Sequence, residues 1–197
     1  MKSISAVVFF LILSNGASSQ DWQLKKESDG IRAYMAPSEN RSVKTYKIET
    51  TVNGTMDCIY ATLTDYDHYT DMYKQMSEFR ILSKSDSLML SYTVISMPWP
   101  FDDRDVLTEV RTEKSDSKIT LNSTLSRTNA VPVSSKLVRI TDYDETYTIE
   151  KTGETQNKVT LIGHADIGGS IPDWVQNLFI IDSPMSLMKQ IKEKCEK

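Results

Sequence analysis

Apolar residues recur at two spacings along this chain, and the switches between them outline its elements. From Val43 to Val52 every second residue alternates, with Tyr46, Ile48, Thr50 and Val52 on one side and Lys47 and Glu49 on the other, which predicts a half-buried strand. Before it, residues 21–30 read as a lead-in carrying Trp22 and Leu24, and Asp29-Gly30 is a turn signal ahead of a strand over Ile31–Met35. Asn53-Gly54 ends the first alternation. Thr55 is placed to cap a helix in which Ile59, Tyr60, Leu63 and Tyr66 recur at helical spacing, and a second short helix is expected over Tyr69–Met76. The period then returns to two over residues 78–84, 87–97, 105–114, 118–127, 136–141, 146–151 and 158–167, with Ser, Asp, Gly and Asn marking most of the turns between them. Such a run of hairpin-linked strands implies an antiparallel meander.

The last segment is helical from Pro172 to about Lys194. Proline suits the first helical position because the N–H it lacks would be unpaired there anyway. Trp174, Leu178, Ile181, Met185 and Met188 fall at steps of four and three and form one stripe, widened by Val175 and Phe179. Pro184 lies inside and is expected to kink or split the helix. Strands, helices, many antiparallel strands and a long amphipathic helix define an α+β fold in which a strongly curved sheet folds around one helix.

The N-terminus is set apart from this pattern. Lys2, an uncharged apolar run from Ile4 to Leu13 and the small polar Asn15-Gly16-Ala17-Ser18-Ser19 have the form of a secretory signal segment. The apolar run is shorter than the ~20 residues that span a bilayer. The expected organisation is therefore a signal peptide over residues 1–19, with export to the periplasm or outside the cell, and one domain over residues 20–197. The net charge of −4 makes the chain a poor nucleic-acid or polybasic membrane reader. Two distant cysteines, Cys58 and Cys195, have the wrong spacing for zinc, and export would permit a disulfide without establishing that they meet.

Two segments carry a family resemblance. Pro98-Trp99-Pro100 leads through Phe101, Asp102 and Asp103 to Arg104-Asp105, and Asp166, Gly169, Pro172, Trp174, Asn177 and Pro184 mark the approach to the last helix. With Ser28-Asp29-Gly30-Ile31 and the run from Asp57 to Asp65, they resemble the START domain, the steroidogenic-acute-regulatory-protein-related lipid-transfer domain, from about Trp22 to Lys194. The resemblance implies a helix-grip fold and one hydrophobic ligand, a lipid or similar small molecule, in a tunnel between the sheet and the last helix. It implies no cofactor, no metal and no nucleic acid, and it fits a monomer that touches membranes transiently. Trp174, Leu178, Ile181, Met185 and Met188 on the helix, and Leu90, Tyr92, Val94, Val106, Thr108 and Val110 on the strands, are the residues expected at the ligand, each with simple core packing as the alternative. Cholesterol-binding members pair an acid with an arginine inside the tunnel. The matching positions here are Ser91 and Val110, so no buried charge is expected in the tunnel.

Other constellations each have a structural reading. Arg104 either holds a ligand head group or clamps carboxylates and loop carbonyls. His164 is either a head-group contact at the tunnel edge or a satisfied strand histidine; it shares a strand face with Asp166, and the two are the visible acid–base pair for the alternative function, a cyclase- or hydrolase-like enzyme on an aromatic or polyketide-like substrate, though no Gly-x-Ser-x-Gly elbow accompanies them. Asp65, Asp67, His68 and Asp71 fail the calcium-loop pattern, with Met76 at its twelfth position. Tyr66, Tyr69 and Tyr73 either line a tunnel mouth or pack a short helix on the sheet. Asn40, Asn53 and Asn122 head glycosylation acceptor patterns.

Overall fold

A computed structural model describes residues 20–37, 44–169 and 171–196. The expected signal segment and the Asn40 acceptor pattern lie outside these residues.

Strands β1 (Gln23–Ser28) and β2 (Ile31–Ala36) form a hairpin whose turn residues, Asp29 and Gly30, both have positive φ, at 54° and 72°. That geometry matches the twist of the flanking strands and favours Asp-Gly. The stretch read as a lead-in is thus an edge strand. All six of its side chains are exposed, so it has no buried face for an apolar alternation to mark. Strand β3 (Thr45–Asn53) follows, then helix α1 (Met56–Leu63), capped as expected by Thr55, whose Oγ1 accepts the Cys58 N–H at 3.1 Å. A 3₁₀ turn (Tyr66–His68) runs into a one-turn helix α2 (Tyr69–Met72), shorter than predicted because Met76 already opens β4 (Met76–Lys84).

The meander continues through β5 (Leu88–Ile95), β6 (Arg104–Lys114), β7 (Lys118–Leu125), a two-residue β8 (Val138–Arg139), β9 (Asp142–Lys151) and β10 (Gln156–Asp166). The sheet order is β1-β2-β3-β10-β9-β7-β6-β5-β4, antiparallel throughout, with β8 added in parallel to β6. Register shifts in β1 and β4 mark bulges on both edge strands, where an extra residue bends the strand and sharpens its twist.

The final helix is split. Helix α3 (Asp173–Asn177) passes into a π-helical segment (Leu178–Asp182) and then α4 (Ser183–Cys195), with Pro184 in the first turn of α4. The proline ring would clash with the carbonyl four residues back, and the wider π turn accommodates it. The wide turn also rotates α4 relative to α3, so the predicted stripe is not one continuous face. Leu187, Met188 and Ile191 of α4 bury completely against Ile48 and Val52 of β3, Ala33 of β2, Ile59 of α1 and Val159 and Leu161 of β10. Burial of each larger aliphatic side chain stabilises the fold by roughly 1.5–3 kcal/mol. Cys58 of α1 is disulfide-bonded to Cys195 at the end of α4, with Cα atoms 5.8 Å apart. Gly54 lies directly against the Cys195 carbonyl, where a β-carbon would collide with it.

Candidate functional site

Between the curved sheet and the last helix lies a mostly apolar cavity of about 190 Å³. Neighbouring strands supply its floor, with Leu121 and Ser123 of β7 and Ala165 of β10 among the lining residues. Met89, Ser91, Thr93 and Ile95 come from β5, Val106, Thr108 and Val110 from β6, and Tyr143, Glu145 and Tyr147 from β9. Phe179, Ile180, Ser183 and Pro184 close it from the helix. Tyr66, Tyr69 and Tyr73, with Phe79 of β4, form one end wall in which the rings of Tyr66 and Tyr69 meet edge-on at 5.0 Å and those of Tyr69 and Tyr73 at 5.3 Å.

The structure sorts the expected ligand residues into three groups. Val106, Thr108 and Val110 line the cavity. Leu90, Tyr92 and Val94 are on the opposite face of β5, because direct cross-strand pairs place Ser91 opposite Thr108 and Thr93 opposite Val106. Tyr92 and Val94 pack instead with Leu107 beneath Leu82, Val131 and Leu137. Both faces of β5 are therefore covered, and hydrophobicity alone could not choose between them. On the helix, Ile181, Met185 and Met188 belong to the main core, Leu178 is half-buried outside the cavity lining, and Trp174 is 60% exposed. Phe179, Ile180, Ser183 and Pro184 take their place because the π turn shifts the register.

Ser91 and Val110, the positions matched to an acid–arginine pair, both line the cavity and are uncharged, and the Ser91 and Thr108 hydroxyls meet at 2.9 Å. The expectation of a cavity without a buried charge is corrected by Glu145. Its carboxyl faces the cavity, where the Tyr46 hydroxyl donates to Oε1 and the Tyr143 hydroxyl to Oε2 at 2.9 Å. Burial pushes the Glu145 carboxyl above the ordinary carboxylate value, against the two tyrosine hydrogen bonds, which favour the ionised form. Burial also raises Tyr46, Tyr69, Tyr73, Tyr143 and Tyr147 well above the usual phenol value, and Tyr66 to about 12, so these hydroxyls stay protonated. Below the unfolded carboxyl's value both states hold the Glu145 proton. As the pH rises from there toward the folded value, the folded protein retains a proton that the unfolded chain has lost, and stability falls. The difference in urea midpoint between E145Q and the wild type should accordingly grow in favour of E145Q as the pH rises above the ordinary carboxylate range; a pH-independent difference would show that Glu145 has no raised value.

His164 and Asp166 do not enter the cavity. His164 is buried on the other face of β10, its Nε2 2.8 Å from Asp142 and its Nδ1 3.1 Å from Asp144, both on neighbouring β9, while an Asp166 oxygen accepts the Gly168 N–H. The acid–base pair considered for an enzyme is thus outside the site. Arg104 is a structural clamp: its buried guanidinium donates to the carbonyls of Ile167 (2.9 Å), Gly168 (3.1 Å) and Asp102. Three segments converge there, since Val138 also donates its N–H to the Asp103 carbonyl. R104A should lower unfolding stability by roughly 3 kcal/mol, because it removes the donor to three carbonyls of two segments, one of them at buried Ile167. R104K should recover little of it, since a single ammonium nitrogen cannot reach the three carbonyls that Nε, Nη1 and Nη2 serve separately. Urea denaturation of both variants measures this.

A curved antiparallel sheet gripping a C-terminal helix, with a cavity between them, defines the helix-grip class. The chain belongs to the START domain family, whose model matches residues 10–196. It is 26% identical over 183 residues to the phosphatidylcholine transfer protein of Mus musculus, covering 89% of this chain and 84% of that protein. It is 26% identical over 197 residues to an uncharacterised protein of Pseudomonas aeruginosa, covering 100% and 96% of the two chains. Among solved structures, the STAR-related lipid transfer protein of Xanthomonas axonopodis has the same fold, with a TM-score of 0.76 and 24% identity over 89% of this chain and 99% of that one.

Proposed function

We propose that this protein binds one hydrophobic amphiphile, a lipid or lipid-like molecule, in the cavity between sheet and helix, and exchanges it with membranes. The observation that carries the reading is the cavity itself, apolar over most of its wall and lined by a single carboxyl group, that of Glu145. Membership of a family with lipid-transfer relatives supports it. Moving an alkyl chain from water into such a site gains ~0.8 kcal/mol per buried methylene. Relative to a bilayer the gain is close to zero, which suits exchange.

A volume of about 190 Å³ is below the roughly 300–1,000 Å³ of ordinary ligand pockets, so loading a two-chain lipid requires the cavity to widen. Helix α4 is fixed at its end by the Cys58–Cys195 disulfide. The opening element is therefore α3 with the π-helical segment and the loops around Arg104. Those segments also carry the most exposed large apolar side chains: Trp99 at 92%, Val133 at 70% and Trp174 at 60%. Tryptophan favours the membrane–water boundary, and this end of the fold is the proposed contact with a bilayer. W99A/W174A should slow lipid transfer between vesicles about tenfold while leaving equilibrium occupancy of the cavity unchanged; unchanged transfer would remove this end as the contact. Export is part of the proposal and is supported by the disulfide, which persists in oxidising compartments.

The test of the main reading is native mass spectrometry of the protein purified from its own host, followed by extraction and identification of bound lipid. A stoichiometric lipid supports it. Protein that is empty and takes up no fluorescent lipid overturns it.

A further inference from the structure

This inference rests on the cavity being a ligand site and concerns the polar end of that ligand. We propose that Glu145, held by Tyr46 and Tyr143, is the head-group site and selects an amphiphile bearing a protonated amine.

The argument starts from what faces Glu145. Among the described residues, the cavity lining contains no Lys, Arg or His. An ionised Glu145 therefore has tyrosine hydroxyls as partners and no cation within the cavity wall. A carboxylate offers about four lone-pair positions. Tyr46 occupies one on Oε1 and Tyr143 one on Oε2, which leaves acceptor capacity on both oxygens of a group that lines the cavity. Tyr69, Tyr73 and Tyr147 line the same region, and the faces of such rings carry negative potential that attracts cations.

Each head-group chemistry meets this arrangement differently. A carboxylate or phosphate could only accept from a protonated Glu145, and its own charge would be buried with no compensating cation in the wall. A hydroxyl could exchange one hydrogen bond with Glu145 but brings no positive charge. An ammonium supplies both what the carboxylate lacks, a positive charge, and N–H donors for its remaining lone pairs. Such a ligand would also restore the ionised form of Glu145 that burial disfavours. The small cavity suits a single-chain molecule.

The test is displacement of the neutral dye Nile red from the purified oxidised protein by dodecylamine, dodecanol and dodecanoic acid, all below their aggregation concentrations at neutral pH. The expected order is dodecylamine tightest, by at least about tenfold over dodecanol, with dodecanoic acid weakest. The readout in E145Q is the amine-to-alcohol ratio, which should collapse to within about threefold. Y143F, which loses one hydroxyl holding the carboxylate, should reduce the ratio partway and serves if E145Q does not fold. An amine no better than the alcohol in the wild type, or an advantage that survives in E145Q, overturns the proposal while leaving the cavity a ligand site. Failure of the dye and all three amphiphiles to bind folded protein overturns the ligand-site reading and this proposal with it.

Discussion

Replacing both cysteines, in C58S/C195S, is expected to lower the unfolding free energy by about 4 kcal/mol and the melting temperature by roughly 10 °C. The bridge closes a loop spanning 137 positions of sequence, and its main effect in the chain-entropy account is to restrict the unfolded chain. The folded state has other means of holding the same helix end. Lys192 donates to the Thr51 carbonyl at 2.9 Å, Glu196 accepts the Asn53 N–H at 3.1 Å, and Ile191 is fully buried. The serine variant should therefore keep its fold and its cavity while losing stability. Thermal melts of oxidised wild type, reduced wild type and the double variant measure this, and the last two should agree. Equal melting temperatures for all three would show that the cross-link contributes nothing beyond those contacts.

Much of this architecture was legible because the sequence marks it with residues whose physics is local. Thr55 caps α1 and Asp29-Gly30 turns the first hairpin, as expected from their side chains and backbone preferences. The alternation of β3 and β10 survives in the structure because each has one face toward the helix or cavity. Other features were hidden, each for a physical reason. Edge strand β1 has no buried face. In β5 both faces are covered, so Leu90, Tyr92 and Val94 looked like the inner set when Met89, Ser91, Thr93 and Ile95 are. In the last helix, the π turn before Pro184 breaks the spacing on which the stripe from Trp174 to Met188 was counted.

The costliest omission was on β9. The acid-rich Asp142-Tyr143-Asp144-Glu145 reads as a turn, yet it is the first part of a ten-residue strand. Its polar character comes from two separate tasks. Asp142 and Asp144 point outward and hold His164, while Tyr143 and Glu145 point into the cavity. A signal was available: Tyr143, Glu145, Tyr147 and Ile149 continue one period-two series. Glu145 concealed it, because a carboxyl group at an inward position is a rare exception to the pattern that identifies strands.

Filling the cavity should separate the two faces of the sheet in one measurement. V110W places a large ring on the inner face of β6, and uptake of a fluorescent acyl lipid should fall at least fiftyfold, with a stability change of about 1–3 kcal/mol from overpacking. Y92F sits on the outer face of β5, where the Tyr92 hydroxyl donates to Asp105 at 3.1 Å. It should cost about 1 kcal/mol of stability and leave uptake unaltered. The contrast matters because Tyr92 and Val110 were equal on sequence grounds, both being apolar-face residues of adjacent strands, and only the register that sets Ser91 against Thr108 divides them. If V110W still takes up lipid normally, the ligand lies elsewhere and the cavity is a packing defect. If Y92F loses uptake as well, the outer cluster of Tyr92, Val94 and Leu107 couples to the site through β5, and the covering segment with Val131 and Leu137 becomes part of the opening movement.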